Sequence, residues 1–205
     1  MLHHFAADFF APVLVSSLRP SPTSDVYQIH VTSDINEPIT GSVNLSVWSW
    51  ASGGALVDQY TLPFSLDALG SKSIYESSLD RLVNGAPADC FFVLDLATAS
   101  NGTQYTSQNY FFPTKPRNMA NIPLASLSVS SRQLGPLSAE VTIRTDTIAL
   151  FVSMETAVSG RFLDNAFHLL PGTERTVAFE AWWDEPIDWA LFVDSLRVLS
   201  LSDTF

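Results

Sequence analysis

The side chains best suited to chemistry are the carboxylates, 21 Asp and Glu in all. Cleaving a glycosidic bond requires two of them facing each other across it. Most stand singly in turn-like stretches or at the polar positions of alternating runs, and only Asp184, Glu185 and Asp188 form a cluster. That cluster opens an expected short helix, where negative side chains complement the positive end of the helix dipole, so capping is its first expected role. A calcium site would need more oxygen ligands than this run supplies. Serines are numerous, but no Gly-x-Ser-x-Gly elbow, phosphate loop or dinucleotide fingerprint occurs. Cys90 is the single cysteine and lies in the apolar run Cys90-Phe91-Phe92-Val93-Leu94. It cannot form an internal disulfide, and a reactive thiol would need an electropositive setting that its neighbours do not provide. His3 and His4 are adjacent and do not share a helix face, so they do not converge on a metal. The expectation is therefore no catalytic residue, no metal and no cofactor within this chain.

Two residue classes remain. Trp48, Trp50, Trp182, Trp183 and Trp189 are the flat apolar surfaces on which sugar rings stack, yet the area an indole buries favours packing. Alternation places Trp48 and Trp50 on one face of a strand. It sends the neighbouring Trp182 and Trp183 to opposite faces, so at least one of that pair is expected to be exposed or docked against another domain. Asn44-Leu45-Ser46 and Asn101-Gly102-Thr103 are acceptor sequons for N-glycosylation. Asn101 falls in a glycine-containing turn and is expected to be the more accessible; Asn44 lies inside a strand and is accessible only if its side chain points outward.

The elements that must position these residues are strands. Apolar residues make up 46% of the chain and charged residues 15%, which excludes disorder, and 14 Phe, 5 Trp and 5 Tyr suit pleated sheets. The net charge of −11 leaves no basic surface for nucleic acid. No apolar run is long enough to span a membrane, and the first residues lack a signal-peptide series. Residues 1–10 read as the end of a helix whose apolar face, Leu2, Phe5, Ala6, Phe9 and Phe10, needs covering. Strand signals follow at 13–15, 26–31, 39–50, 56–62, 74–76, 91–96 and 105–112, with Val43, Leu45 and Val47 on one face of the long strand. The spacing is that of an immunoglobulin-type sandwich.

The proline-rich stretch Pro113-Thr114-Lys115-Pro116-Arg117-Asn118 breaks the pattern, which restarts at 124–129, 139–144, 148–152, 177–182 and 198–201. Between the third and fourth of these lies a corner, residues 160–172. There Asp164-Asn165 and Pro171-Gly172 are turn pairs, and Phe162, Phe167 and Leu170 are expected to be buried. Residues 184–196 read as one short helix with Pro186 in its first turn. The fold expectation is all-β: two tandem immunoglobulin-like β-sandwich domains, 11–115 and 116–205, with a helix remnant at 1–10 and a short helix near the C-terminus.

Four segments carry a family resemblance, in family order. Gly160-Arg161-Phe162-Leu163-Asp164-Asn165-Ala166-Phe167-His168-Leu169-Leu170-Pro171-Gly172 resembles the hallmark of the last immunoglobulin-like domain of the β-mannosidases of glycoside hydrolase family 2. Val198-Leu199-Ser200-Leu201-Ser202-Asp203-Thr204-Phe205 resembles the family's C-terminal ending. Phe9-Phe10-Ala11-Pro12-Val13-Leu14-Val15 resembles the junction after the catalytic barrel, and Asn109-Tyr110-Phe111-Phe112-Pro113-Thr114-Lys115-Pro116 the join between the last two sandwiches. The resemblance implies a parent enzyme that removes terminal β-linked mannose from non-reducing ends with retention. Its two catalytic glutamates lie on a barrel that this chain does not include, so the chain alone is expected to be inactive, with the remaining domains of the parent as its partners. A parent of this kind is expected to be extracellular, lysosomal or vacuolar. The alternative is an autonomous carbohydrate-binding or Ig-like adhesion module that uses exposed tryptophans.

Overall fold

The structure, a computed structural model, describes residues 9–51, 53–115, 118, 119, 121–183 and 185–204. Of the expected helix remnant at 1–10, residues 1–8 lie outside the described residues. The chain divides into two compact units, one running to Asn121 and the other from Ile122.

In the first unit, β1 (Val13–Leu18), β2 (Val26–Ser33) and β5 (Ser71–Ser78) form a three-stranded sheet in the order β1-β2-β5. It faces a four-stranded sheet, β4-β3-β6-β7, built from β3 (Ile39–Ser49), β4 (Ala55–Leu66), β6 (Cys90–Ser100) and β7 (Thr103–Phe111). Alternation decides the layers. Val43, Leu45 and Val47 of β3 and Phe92, Leu94 and Leu96 of β6 point inward against Tyr27, Ile29 and Val31 of β2, all of them buried. Tyr27 meets Phe92 edge-on at 5.2 Å, a geometry that aromatic quadrupoles favour. At its β4 edge this sheet carries Pro63, opposite Ser42. Only an edge strand tolerates a residue with no amide to give to the ladder. An α-helix interrupts the strands: α1 (Leu79–Val83) is capped by Ser78, whose hydroxyl accepts from the Arg81 amide, and it stops at Asn84 in the left-handed region.

In the second unit, a four-stranded sheet, β11-β13-β9-β8, joins β8 (Leu127–Gly135), β9 (Ser138–Thr145), β11 (Gly160–Phe162) and β13 (Glu174–Ala181). The facing sheet, β12-β10-β14, joins β10 (Ala149–Glu155), β12 (Phe167–Leu169) and β14 (Arg197–Leu199). Between them lie Val141, Ile143, Val177, Phe179, Val152 and Met154, sealed by Phe192 of α2 (Trp189–Ser195). All strand pairs in the two units are antiparallel.

Two expectations change at the C-terminal helix and the corner. The C-terminal helix is Trp189–Ser195, not 184–196: Pro186 precedes it, and Asp188 is the N-cap, accepting from the Leu191 amide at 3.0 Å. Ile187, read as part of the helical face, is buried from the preceding loop, where its amide bonds the Pro136 carbonyl. In the corner, Phe162 and Phe167 are buried as expected, but Leu170 is only half-buried; Ala166, His168 and Leu169 are the buried neighbours.

Candidate functional site

Several carboxylates have structural partners. Asp188 caps α2, and the Asp25 carboxylate accepts the Asp80 amide at 2.8 Å in the first turn of α1. On the outer face of the β11-β13-β9-β8 sheet, arginine and glutamate alternate across strands: Arg161 pairs with Glu180 at 2.9 Å, Arg132 with Glu140 at 2.7 Å, and Arg144 with Glu174. Cross-strand pairing of this kind stabilises a sheet by tenths of a kcal/mol per pair, up to about 1. Of the expected acidic cluster, Asp184 lies outside the described residues, while Glu185 is exposed and its amide closes a turn on the Trp182 carbonyl at 3.3 Å. Among the described residues no group of His, Cys, Asp and Glu could hold a metal. Cys90 is buried, and that burial pushes its thiol pKa up, away from the thiolate that would be reactive.

The tryptophans separate into two kinds. Trp50 is buried and stacks on Phe91 at 6.0 Å. Trp48 is half-buried beside it, just past a bulge where β3 slips against β4 between Val47 and Trp48. Trp189 stacks on Phe192 at 5.4 Å. Trp182 and Trp183, by contrast, are 49% and 83% exposed. They sit in the turn after β13, which the Trp182 amide anchors to the Ser159 carbonyl at 3.2 Å. Trp183 takes φ 65, a backbone region that a bulky residue occupies only under strain.

Residues 160–172 form a motif tied down by several side-chain bonds. Gly160 has no room for a side chain, since a Cβ there would lie 2.2 Å from Phe179 Cζ and 2.5 Å from the Glu180 carbonyl oxygen. Asp164 accepts the Asn165 amide at 2.8 Å, so the turn pair bonds its own backbone. Asn165 also grips β10 with both ends of its amide, accepting from the Met154 N–H at 2.8 Å and donating to the Met154 carbonyl at 2.9 Å. Arg175 pairs with Asp164 and lies over the Phe167 ring at 4.7 Å.

Sequence reasoning missed His168. Opposite it, β10 carries an extra residue, because Ala149 pairs Leu169 and Val152 pairs Phe167. This bulge puts Phe151 at φ 51. Its displaced amide donates to His168 Nδ1 at 3.0 Å. Burial lowers the imidazole pKa to about 3, so the ring is neutral and accepts at Nδ1. The two-against-one register of the bulge leaves no periodic trace, so no local signal announces this role.

The sequons also differ. Asn101 and Gly102, at φ 48 and φ 80, form the two-residue turn that joins β6 to β7, with Ser100 opposite Thr103. Positive φ at both central positions is the hairpin geometry that Asn-Gly favours. Asn44 stands mid-strand in β3, half-buried, between Thr61 of β4 and Asp95 of β6. Its Oδ1 accepts from the Thr61 hydroxyl at 3.0 Å. It helps to floor a shallow depression of about 530 Å³ on the outer face of the sheet, with Asp95, Ala97, Thr106 and Gln108.

Comparison with known proteins follows this division. Residues 25–118 match the family model described as a mannosidase Ig/CBM-like domain, and residues 122–204 the model described as an Ig-fold domain of mannosidases. The chain is 30% identical to beta-mannosidase A of Aspergillus oryzae over 193 residues, covering 87% of this chain and 20% of that protein. It is 29% identical to the beta-mannosidase of Capra hircus over 210 residues, covering 100% of this chain and 23% of that one. The fold matches the crystal structure of a beta-D-mannosidase from Dictyoglomus thermophilum with a TM-score of 0.70 at 18% identity, covering 97% of this chain and 23% of that one. The chain thus spans roughly a fifth of the length of the curated relatives it matches.

Proposed function

Because this chain belongs to the β-mannosidase family, as its non-catalytic C-terminal immunoglobulin-like part, we propose that it supports and packs on the catalytic barrel of a parent enzyme. That enzyme would hydrolyse terminal, non-reducing β-D-mannose residues with retention, as part of carbohydrate metabolism. The parent's catalytic glutamates would lie on the barrel, and its glycan substrates would be met there. The observation that carries this reading is the allocation of carboxylates. Several of this chain's carboxylates are committed to helix caps, turn bonds and cross-strand pairs with arginine. A parent of this kind is an extracellular or lysosomal/vacuolar glycoprotein.

Removing the equivalent region from the Aspergillus oryzae relative tests the supporting role. The expected result is a truncated enzyme with a lowered Tm, raised again when this region is supplied in trans. A truncated enzyme as stable and as active as the intact one would overturn it.

Exposure of Trp182 and Trp183 favours a second reading, a glycan-binding or adhesion module that acts by itself. Calorimetric binding of mannobiose, abolished by Trp182→Ala, would establish that reading. Absence of binding would leave the supporting role.

A further inference from the structure

We propose that Asn101 is an N-glycan acceptor and that Asn44, although it too heads a sequon, stays unmodified. The inference deepens the proposed function and rests on its secretory localisation. The fold places the two sequons in different surroundings.

At Asn101 the acceptor residues stand in open water. Asn101, Gly102 and Thr103 are all exposed, and a Cβ built on Gly102 would meet no atom within 4 Å. The space over the hairpin tip is therefore free for a first sugar. The side chain is also oriented: Asn101 Nδ2 donates to Glu37 Oε1 at 2.5 Å, and the Ser100 hydroxyl donates to Glu37 Oε2 at 3.0 Å. In the transfer, the Asn101 amide nitrogen bonds C1 of an oligosaccharide carried on a lipid diphosphate. The C1–oxygen bond to the diphosphate breaks, the lipid diphosphate leaves with the electron pair, and one amide proton passes to a base. The amide keeps its second N–H.

At Asn44 the same groups are woven into the sheet. The acceptor amide lies in a central strand with neighbours on both sides, and its oxygen is held by Thr61. The sequon hydroxyl, on Ser46, is buried, and Gln59 Nε2 lies within 3.5 Å of it. A glycan on Asn44 would have to rise between the side chains of adjacent strands.

The test is expression of the whole chain behind a signal peptide in a yeast host. An endoglycosidase that leaves one N-acetylhexosamine on the acceptor is then applied, and intact and peptide masses are measured. One residual sugar at Asn101 is expected. It should be lost in Asn101→Gln and Thr103→Ala, and retained in Asn44→Gln and in the conservative Thr103→Ser. An unmodified chain, or a sugar that persists in Asn101→Gln, overturns the assignment at Asn101; a sugar on Asn44 overturns its exclusion. The forced secretory route separates this from localisation. Failure at Asn101 in this host refutes the site whatever the parent's compartment. A modified Asn101 together with a parent found in the cytosol would refute the localisation.

Discussion

Acid should weaken the second unit through one residue, His168. Its Nδ1 accepts from the Phe151 amide at 3.0 Å, so a proton added there would set one N–H against another as well as placing a charge among apolar groups. Both effects disfavour the imidazolium, and burial lowers the pKa from 6.5 to about 3. The sign follows from linkage: between these values the unfolded chain binds a proton that the folded chain does not. The contribution is fully present above pH 6.5 and drains away as pH falls toward 3. At ~1.4 kcal/mol per unit, the loss is ~2 kcal/mol at pH 5 and ~3 kcal/mol at pH 4. His168→Asn keeps an acceptor oxygen near the Nδ1 position and removes the titration. Urea unfolding of both proteins at several pH values between 7.5 and 4 measures the difference directly. The variant should start less stable at neutral pH, because it leaves a small gap, and then lose ~2 kcal/mol less than the wild type by pH 5. Parallel curves would refute the reasoning, since they would mean an imidazole in water that titrates alike in both states.

Three further outcomes follow from the corner and the turn beside it. Asn165→Ala removes both bonds to the Met154 backbone and should lower stability by ~2 kcal/mol, seen as a lower urea midpoint. Gly160→Ala forces a methyl group against Phe179 and the Glu180 carbonyl and should cost about 3 kcal/mol, read as a drop in Tm. Trp183→Gly should instead raise the Tm of the isolated chain. The side chain at φ 65 is mostly exposed, and relief of ~1–3 kcal/mol of strain exceeds the entropy that glycine adds to the unfolded state.

Much of the architecture was legible in the sequence because the sheets obey a period of two. Val43, Leu45 and Val47 announce an inward face and are buried. Asp164-Asn165 announces a turn that bonds its own backbone, and it does so. The reading failed where periodicity ends. In β12, Phe167, His168 and Leu169 are all buried, so both faces of this short strand are covered and no alternation identifies which side is in. Spacing alone makes the C-terminal helix too long, because Ile187 falls at helical spacing from Leu191, whereas the bond from the Leu191 amide to Asp188 sets the start. Trp182 and Trp183 were expected on opposite faces of a continuing strand. β13 instead ends at Ala181, and the turn exposes both. For the candidate site, the scattering of carboxylates along the chain already argued against a catalytic pair. Their partners, such as Arg175 for Asp164, come from other strands and emerge only in the fold.

As the non-catalytic part of a β-mannosidase, these two sandwiches should not turn over a β-mannoside by themselves. The most direct test is to incubate the purified chain with a chromogenic aryl β-D-mannoside and follow release of the aryl group. The account predicts a rate indistinguishable from buffer. Turnover comparable to that of an intact β-mannosidase, carried by a homogeneous preparation of this chain, would contradict it.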